Sequence, residues 1–309
     1  MNIEDIIGVS SACSDATSRA VGSYGCPFKF QLPDGVILLK KGFFVPAGQD
    51  FSKTYLQGLI QEGIAIPLLN SFGFEPINED DVLETSVTGV NDLARKGLTS
   101  LKFMFKKGIA FEKELEKLTS FGRFDVWVVD KSGNFLGVEK SGGFGGWSAG
   151  LALARAKTWN TGSESEGKDF EIQLTQPGER KNVTWIEASQ LDFFAPTEID
   201  GVNPVVLTFE DALGPVPPAS SDTSLKIKAV ASDGSTPIEG LTDSDFLVEI
   251  DGAIVNVTGA SETSPGFYDV TVAVSAGALQ ATLYDAVLGA EAVLVNEYIF
   301  AGKVQATVV

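Results

Sequence analysis

Along most of this chain apolar and polar positions alternate in short runs, the period-two signature of strands with one buried face. Residues 99–105 set Leu101, Phe103 and Phe105 against polar neighbours, and residues 169–175 do the same with Phe170, Ile172 and Leu174. Residues 35–42 read as a strand that continues past a glycine into Phe43-Phe44-Val45. The clearest hairpin is 124–129, a turn at Asp130-Lys-Ser-Gly-Asn134, and 135–138. Residues 183–186 and 205–209 add two more strands. Helical spacing is confined to two places. Asp50 is placed to cap a helix running to about Glu62 that carries Phe51, Tyr55, Leu56 and Leu59, and residues 112–118 set Phe111, Leu115 and Leu118 on one face. The expected fold class is therefore mainly β, a sandwich or barrel body with one or two helices. Residues 10–18 are small and loop-like, 158–168 read as a flexible polar loop, and 75–82 as an acidic loop.

The texture changes after residue 213. Residues 214–223 place three prolines and three hydroxyl side chains in ten positions, which reads as an extended spacer. Beyond it come short alternating strands at 225–230, 246–250, 254–258 and 267–274, joined by Asp233-Gly234, Asp251-Gly252 and Pro265-Gly266. The phrases Gly240-Leu-Thr-Asp-Ser-Asp-Phe246, Ile250-Asp-Gly252 and Thr263-Ser-Pro-Gly-Phe-Tyr-Asp-Val270 resemble the immunoglobulin-like domains of bacterial surface and phage virion proteins. That resemblance covers about a quarter of the chain and implies a fold without an activity. The segment holds no Cys or Trp, so the likeness is to the disulfide-free branch. The expected organisation is a β-rich assembly body over 1–213, a Pro/Ser linker over 214–223 and an immunoglobulin-like domain over 224–309.

Composition narrows the chemistry. A hydrophobic content of 44% is enough to build a real core. The formal charge is −18, of which three Lys and eleven Asp/Glu from Leu225 onward contribute −8. Acidity on this scale opposes binding to phosphate backbones and anionic membranes. The apolar stretch 56–69 is broken by Gln57, Gln61 and Glu62 and is too short for a bilayer. The acidic start, Met1-Asn-Ile-Glu-Asp, is unlike a secretory signal, so assembly in a bacterial cytoplasm is expected. Two cysteines, Cys13 and Cys26, leave a bridge or two buried thiols open, with thiols favoured. Asn182-Val-Thr184 and Asn256-Val-Thr258 match the glycosylation triplet by chance on that reading. There is no histidine, which removes Ser-His-Asp and Cys-His catalysis and histidine-ligated metals.

Each remaining cluster has a plain reading. The run Gly142-Gly-Phe-Gly-Gly146 before Trp147 lacks the Gly-Lys-Ser/Thr ending of a phosphate loop and reads as a backbone bend or a close subunit contact. Glu79-Asp80-Asp81 reads as a solvated acidic loop rather than a calcium site. Asp243-Ser-Asp245 reads as a strand entry whose carboxylates bond nearby N–H groups. Glu112, Glu114 and Glu116, interleaved with Lys113 and Lys117, read as a charged helix face rather than a glycosidase pair. Among Trp127, Trp147, Trp159 and Trp185, the first reads as core, while Trp147 and Trp159, with Phe144 between glycines, are the candidate subunit interface. No catalytic, cofactor or metal residue is nominated, and an enzyme is not expected.

A second resemblance lies in the body. Residues 107–115, 124–137, 147–150 and 170–177 are similar in phrasing to structural proteins of tailed bacteriophages. Tail-tube proteins of that kind pair a β-sandwich body with a terminal immunoglobulin-like decoration domain. The resemblance implies a virion structural protein that assembles with itself into rings or tubes and meets other virion proteins, without specific nucleic-acid or membrane binding. The alternative is a capsid decoration or host-surface adhesion protein.

Overall fold

The computed structural model describes residues 2–7, 29–85, 91–161 and 166–308. The chain is mainly β and divides into two compact units, Met1–Leu56 with Ile64–Ile199, and Gln57–Gly63 with Asp200–Val309. Residues 10–18, Cys13 and Cys26 lie outside the described residues.

The first unit is built on one antiparallel ladder. Pro33–Lys40 lies between Ala65–Leu68 and Phe124–Asp130, with Val36 opposite both Leu68 and Val128. Phe124–Asp130 passes its far edge to Phe135–Lys140 and to the start of Trp147–Thr158. Trp147–Thr158 then pairs with Gly167–Leu174, that strand with Thr99–Phe105, and that one with Gly73–Asn78. The two ends of this ladder, Ala65–Leu68 and Gly73–Asn78, are neighbours in sequence, so one bent segment supplies both and the sheet curls back on itself. At the bend, Asp34 accepts the Asn70 N–H on its carboxylate at 2.8 Å and the Ser71 N–H on its backbone oxygen at 2.8 Å. The next amide, Phe72 N–H, donates to Met104 on the other strand at 2.7 Å. Asn70 turns the corner with φ 59°, a conformation asparagine tolerates better than most side chains. Gly35 sits so close to this corner that a Cβ there would lie 2.1 Å from the Leu68 carbonyl oxygen.

The two central strands are buried on both faces, which explains their nearly continuous apolar runs. One face, with Val36, Leu38, Val126 and Val128, packs in the barrel interior with Phe103, Phe105, Phe170 and Ile172. Leu115 of the Ile109–Lys117 helix joins that core. The other face presents Trp127 to an aromatic cluster, stacked on Phe144 at 5.2 Å and met edge-on by Phe51 at 5.7 Å. The expected hairpin turn is present and is organised by Asp130, which accepts the Ser132 and Asn134 amides. The first expected helix spans Lys53–Gln61. Ser52, whose hydroxyl accepts the Tyr55 amide, stands in the place anticipated for Asp50. Asp50 instead makes a bridge to Asn2. The expected acidic loop 75–82 is largely strand, Gly73–Asn78, whose Pro76 fits a position paired on one side only.

The second unit is a β-sandwich. One sheet runs Gly259–Ser264, Phe267–Thr271, Ser224–Ala231, Asn203–Asp211, Tyr298–Ala301, Val293–Val295; the other runs Ala253–Val255, Phe246–Ile250, Gly277–Leu283, Lys303–Val308. Val205, Leu207, Ile227, Val248, Tyr268, Val270 and Ala281 fill the space between. The division between units falls before Asp200, not at 213. Residues 203–211 pair with Ser224–Ala231, and Val205 and Leu207 belong to this core. The expected spacer instead folds back, with Gly214–Pro215 pairing to Asp211 and Glu210 and Val216 N–H donating to Phe209. Proline and serine suit a long return at a sheet end as well as a linker, so composition did not separate the two. At Gly302 the last stretch of chain passes from the first sheet to the second, where a Cβ would lie 2.5 Å from the Val205 oxygen. Gln57 and Gln61, from the segment counted with this unit, donate to the carbonyls of Glu297 and Ala292. No described helix is long and apolar enough to cross a membrane.

Two measurements check this account. All four tryptophans precede residue 200, so tryptophan fluorescence reads the first unit. Asp34→Ala should lower its urea stability by about 0.5–1.5 kcal/mol, because the buried Asp34 carboxylate no longer accepts the Asn70 amide at this part-buried corner. Exposed Phe121→Ala should move it by less than about 0.5 kcal/mol. In the second unit, buried Tyr268 donates to the Ile238 carbonyl at 2.7 Å, and burial pushes its phenol up to about 12. The neutral phenol is the form the fold favours, so its contribution is intact below about pH 10, the ordinary value. It is lost as pH rises from there through 12. Tyr268→Phe should flatten that alkaline decline in a pH series of melting curves.

Candidate functional site

The first unit's long hairpin gives it two chemically different ends. Asn78 lies opposite Thr99, and beyond that pair the two chains stay together. Glu79 N–H donates to the Leu98 carbonyl at 2.9 Å and Gly97 N–H to the Asp81 carboxylate at 2.7 Å. The approach is close enough that a Cβ on Gly97 would sit 1.9 Å from the Glu79 oxygen. The hairpin then continues as a separate two-stranded sheet, Val82–Thr85 with Asn91–Arg95. Leu83 and Leu93 are direct partners across it, 57% and 49% exposed, with Val82 exposed beside them. A two-stranded ribbon is marginal alone in water and gains from a covering surface. Arg180 braces its base by donating to the Gly97 carbonyl and the Thr99 hydroxyl. Glu79, Asp80 and Asp81 are exposed there, which makes this end acidic and apolar together.

The opposite end lies where the same strands finish. Phe105 is opposite Lys168, and Thr158 opposite Gly167. The Lys106 ammonium stands 3.2 Å from the centre of the exposed Phe72 ring. Trp159 is 72% exposed, with the Lys157 ammonium 5.2 Å from its ring centre. Ile109, at the start of the helix, is also exposed. Lys157 is held by Glu112 at 3.1 Å and Glu166 at 3.2 Å, and the Glu112 hydrogen bond raises its pKa above the usual lysine value. This end is therefore aromatic and rich in lysine. Thr99 and Phe105 mark the two ends of one strand, about 20 Å apart at roughly 3.3 Å per residue.

The three residues expected at a subunit interface are not brought together. Trp147 and Trp159 stand at the beginning and just past the end of Trp147–Thr158. Trp159 faces solvent, whereas Trp147 is buried and Phe144, 0% exposed, lies inside the Trp127 cluster. A side chain with no exposed surface has none to offer a partner. The surrounding glycines draw Phe144 inward by permitting close backbone approach. A Cβ on Gly143 would sit 2.1 Å from the Val45 oxygen, and one on Gly146 2.6 Å from the Val126 nitrogen. The glycine run makes close contacts within the chain, at Val45 and Val126, rather than the subunit contact expected as one reading.

The other clusters are accounted for locally. Glu112, Glu114 and Glu116 bond three different lysines, Lys157, Lys117 and Lys168, and Glu112 is buried rather than on an outer face. Asp245 accepts the Thr242 amide at 2.7 Å in a capping box. Among the described residues no group of three or more Cys, Asp or Glu is placed to hold a metal. Phe72, Ile109, Leu83 and Leu93 were not singled out by sequence. The available signal was apolar residues at 82, 83 and 93 amid acidic neighbours, flanking Gly97. No protein-family model matches the chain, and no curated protein matches it.

Phe144→Ala should cost about 3–5 kcal/mol in denaturant unfolding, as expected for a buried aromatic. Trp159→Ala should stay within about 0.5 kcal/mol. Comparable losses at both positions would contradict this placement.

Proposed function

We propose that this chain is a self-assembling structural subunit, a tail-tube-type virion protein of a tailed bacteriophage with an immunoglobulin-like decoration unit. The observation that carries the reading is the pair of unlike ends on one strand pair. An acidic, leucine-bearing arm leaves one end, and a lysine- and aromatic-bearing surface forms the other. Contacts between unlike patches are heterologous, and they propagate as rings or open stacks rather than closing as a dimer. The arm supplies apolar area and negative charge, while Phe72, Trp159 and Lys106 supply its complement. The formal charge of −18 suits a conduit through which nucleic acid slides without adhering. The phrase-level resemblance to tailed-phage structural proteins points the same way.

Electron microscopy and sedimentation of the purified chain should show rings, stacks or tubes. Replacing Leu83 and Leu93 by Asp together should abolish them while circular dichroism stays unchanged, since both side chains face solvent in the single chain. Wild-type protein that stays monomeric at all concentrations, or tubes indifferent to the double substitution, would overturn the assignment. Monomers that instead adhere to host cells would favour the adhesion alternative.

A further inference from the structure

A cleft of about 460 Å³ opens at the edge of the second unit's core, beside Ile238 and Val295. One wall is the strand Tyr298–Ala301, where Tyr298 and Phe300 share a face with Val295 and Val293 and line the cleft, Phe300 also packing against the edge of the sandwich core, while Ile299 turns to the opposite face. Asn203 and Pro204 lie beside this strand in parallel register with Phe300 and Ala301. Tyr298 is 54% exposed and leaves a two-residue hairpin loop, Asn296-Glu297, in which both residues have positive φ, 49° and 72°. Neither residue is glycine, so the loop stores strain, and a strained loop beside an open aromatic ring is a reason to look for a ligand.

The charged groups of the lining have one sign. Asp200 and Glu239 contribute carboxylates, and no Lys or Arg lines the cleft. Among the described residues neither carboxylate makes an ion pair, and Asp200 accepts the neighbouring Gly201 amide at 2.9 Å. Two other carboxylates of this unit pair with lysine, Asp269 with Lys226 and Glu210 with Lys228, while Asp233 and Asp285 accept amides within their own turns and Asp251 accepts the Ala278 amide. An uncharged ligand would leave both cleft carboxylates unmatched. A cation gains from them and from the electron-rich ring faces at once.

We infer that this cleft binds a cationic side chain, the guanidinium or ammonium of a basic peptide segment, with Tyr298 and Phe300 as the ring platform and Asp200 and Glu239 as counter-charges. The inference stands apart from the assembly reading, because none of these residues belongs to the arm or to the opposite end of the first unit. Recognition by ring and carboxylate favours arginine, whose planar fork stacks and hydrogen-bonds together.

The test uses the full chain titrated with N-acetyl-arginine amide, followed by NMR shifts of the tyrosine ring protons. N-acetyl-citrulline amide serves as the uncharged isostere and a neutral monosaccharide as a second control. The arginine probe should bind saturably, weaken as salt is raised, and exceed the citrulline probe. Tyr298→Ala and Glu239→Gln should each weaken it by about three- to tenfold with an unchanged melting temperature, since both side chains are solvent-accessible. Equal binding of arginine and citrulline probes, preference for the sugar, or arginine binding unaffected by both substitutions would overturn the inference. So would the absence of saturable binding by the arginine probe.

Discussion

The corner at which Asp34 holds Asn70 and Ser71 is the constraint on which the first unit depends. A curled sheet has to hand its last strand to its first, and here one segment does so by changing partners within three residues. The exchange needs a residue that accepts a left-handed backbone, an acceptor for the amide that turns away from the ladder, and room for two backbones to touch. Asn70, Asp34 and Gly35 supply these in turn. With the corner in place, Pro33–Lys40 and Phe124–Asp130 become central strands with two buried faces. The barrel core and the Trp127 cluster then form on opposite sides of the same backbone.

That arrangement also explains where surface remains for association. Apolar side chains on the central strands are consumed by the two cores, so exposed apolar area concentrates where strands end. The hairpin 73–105 runs past one end, and the loops carrying Phe72 and Trp159 close the other. Exposed Glu79, Asp80 and Asp81 stand at the base of the arm, and Lys106 and Lys157 stand beside the rings opposite, Lys157 paired with Glu112 and Glu166. The polarity of the unit is therefore inherited from strand direction.

Much of the fold was legible in the sequence, for reasons visible in particular residues. The 99–105 alternation and the Asp130 turn are local signals, and both are found as read. The mainly β class follows from them. Partnership was harder to see. Residues 205–209 read as a strand, but nothing local in them says that the strand pairs forward with 224–231 and belongs to the second unit's core. Pro76 and its acidic neighbours concealed an edge strand. Of the residues read as interface, Trp159 is open to solvent while Phe144 is not. Burial of an aromatic between glycines depends on which backbone it approaches, and that is a property of the fold rather than of the phrase.

The continuity of the arm with the barrel has a mechanical meaning. Gly73–Asn78 and Thr99–Phe105 are the same two chains that continue into the ribbon carrying Leu83 and Leu93. A pull along the arm is therefore borne lengthwise by the hydrogen bonds of these strands, which share the load and fail together. A flexible tether would instead deliver force to its attachment point and peel bonds one at a time. Tension applied at the tip enters the wall of the barrel as shear, the direction in which an antiparallel ladder resists extension best.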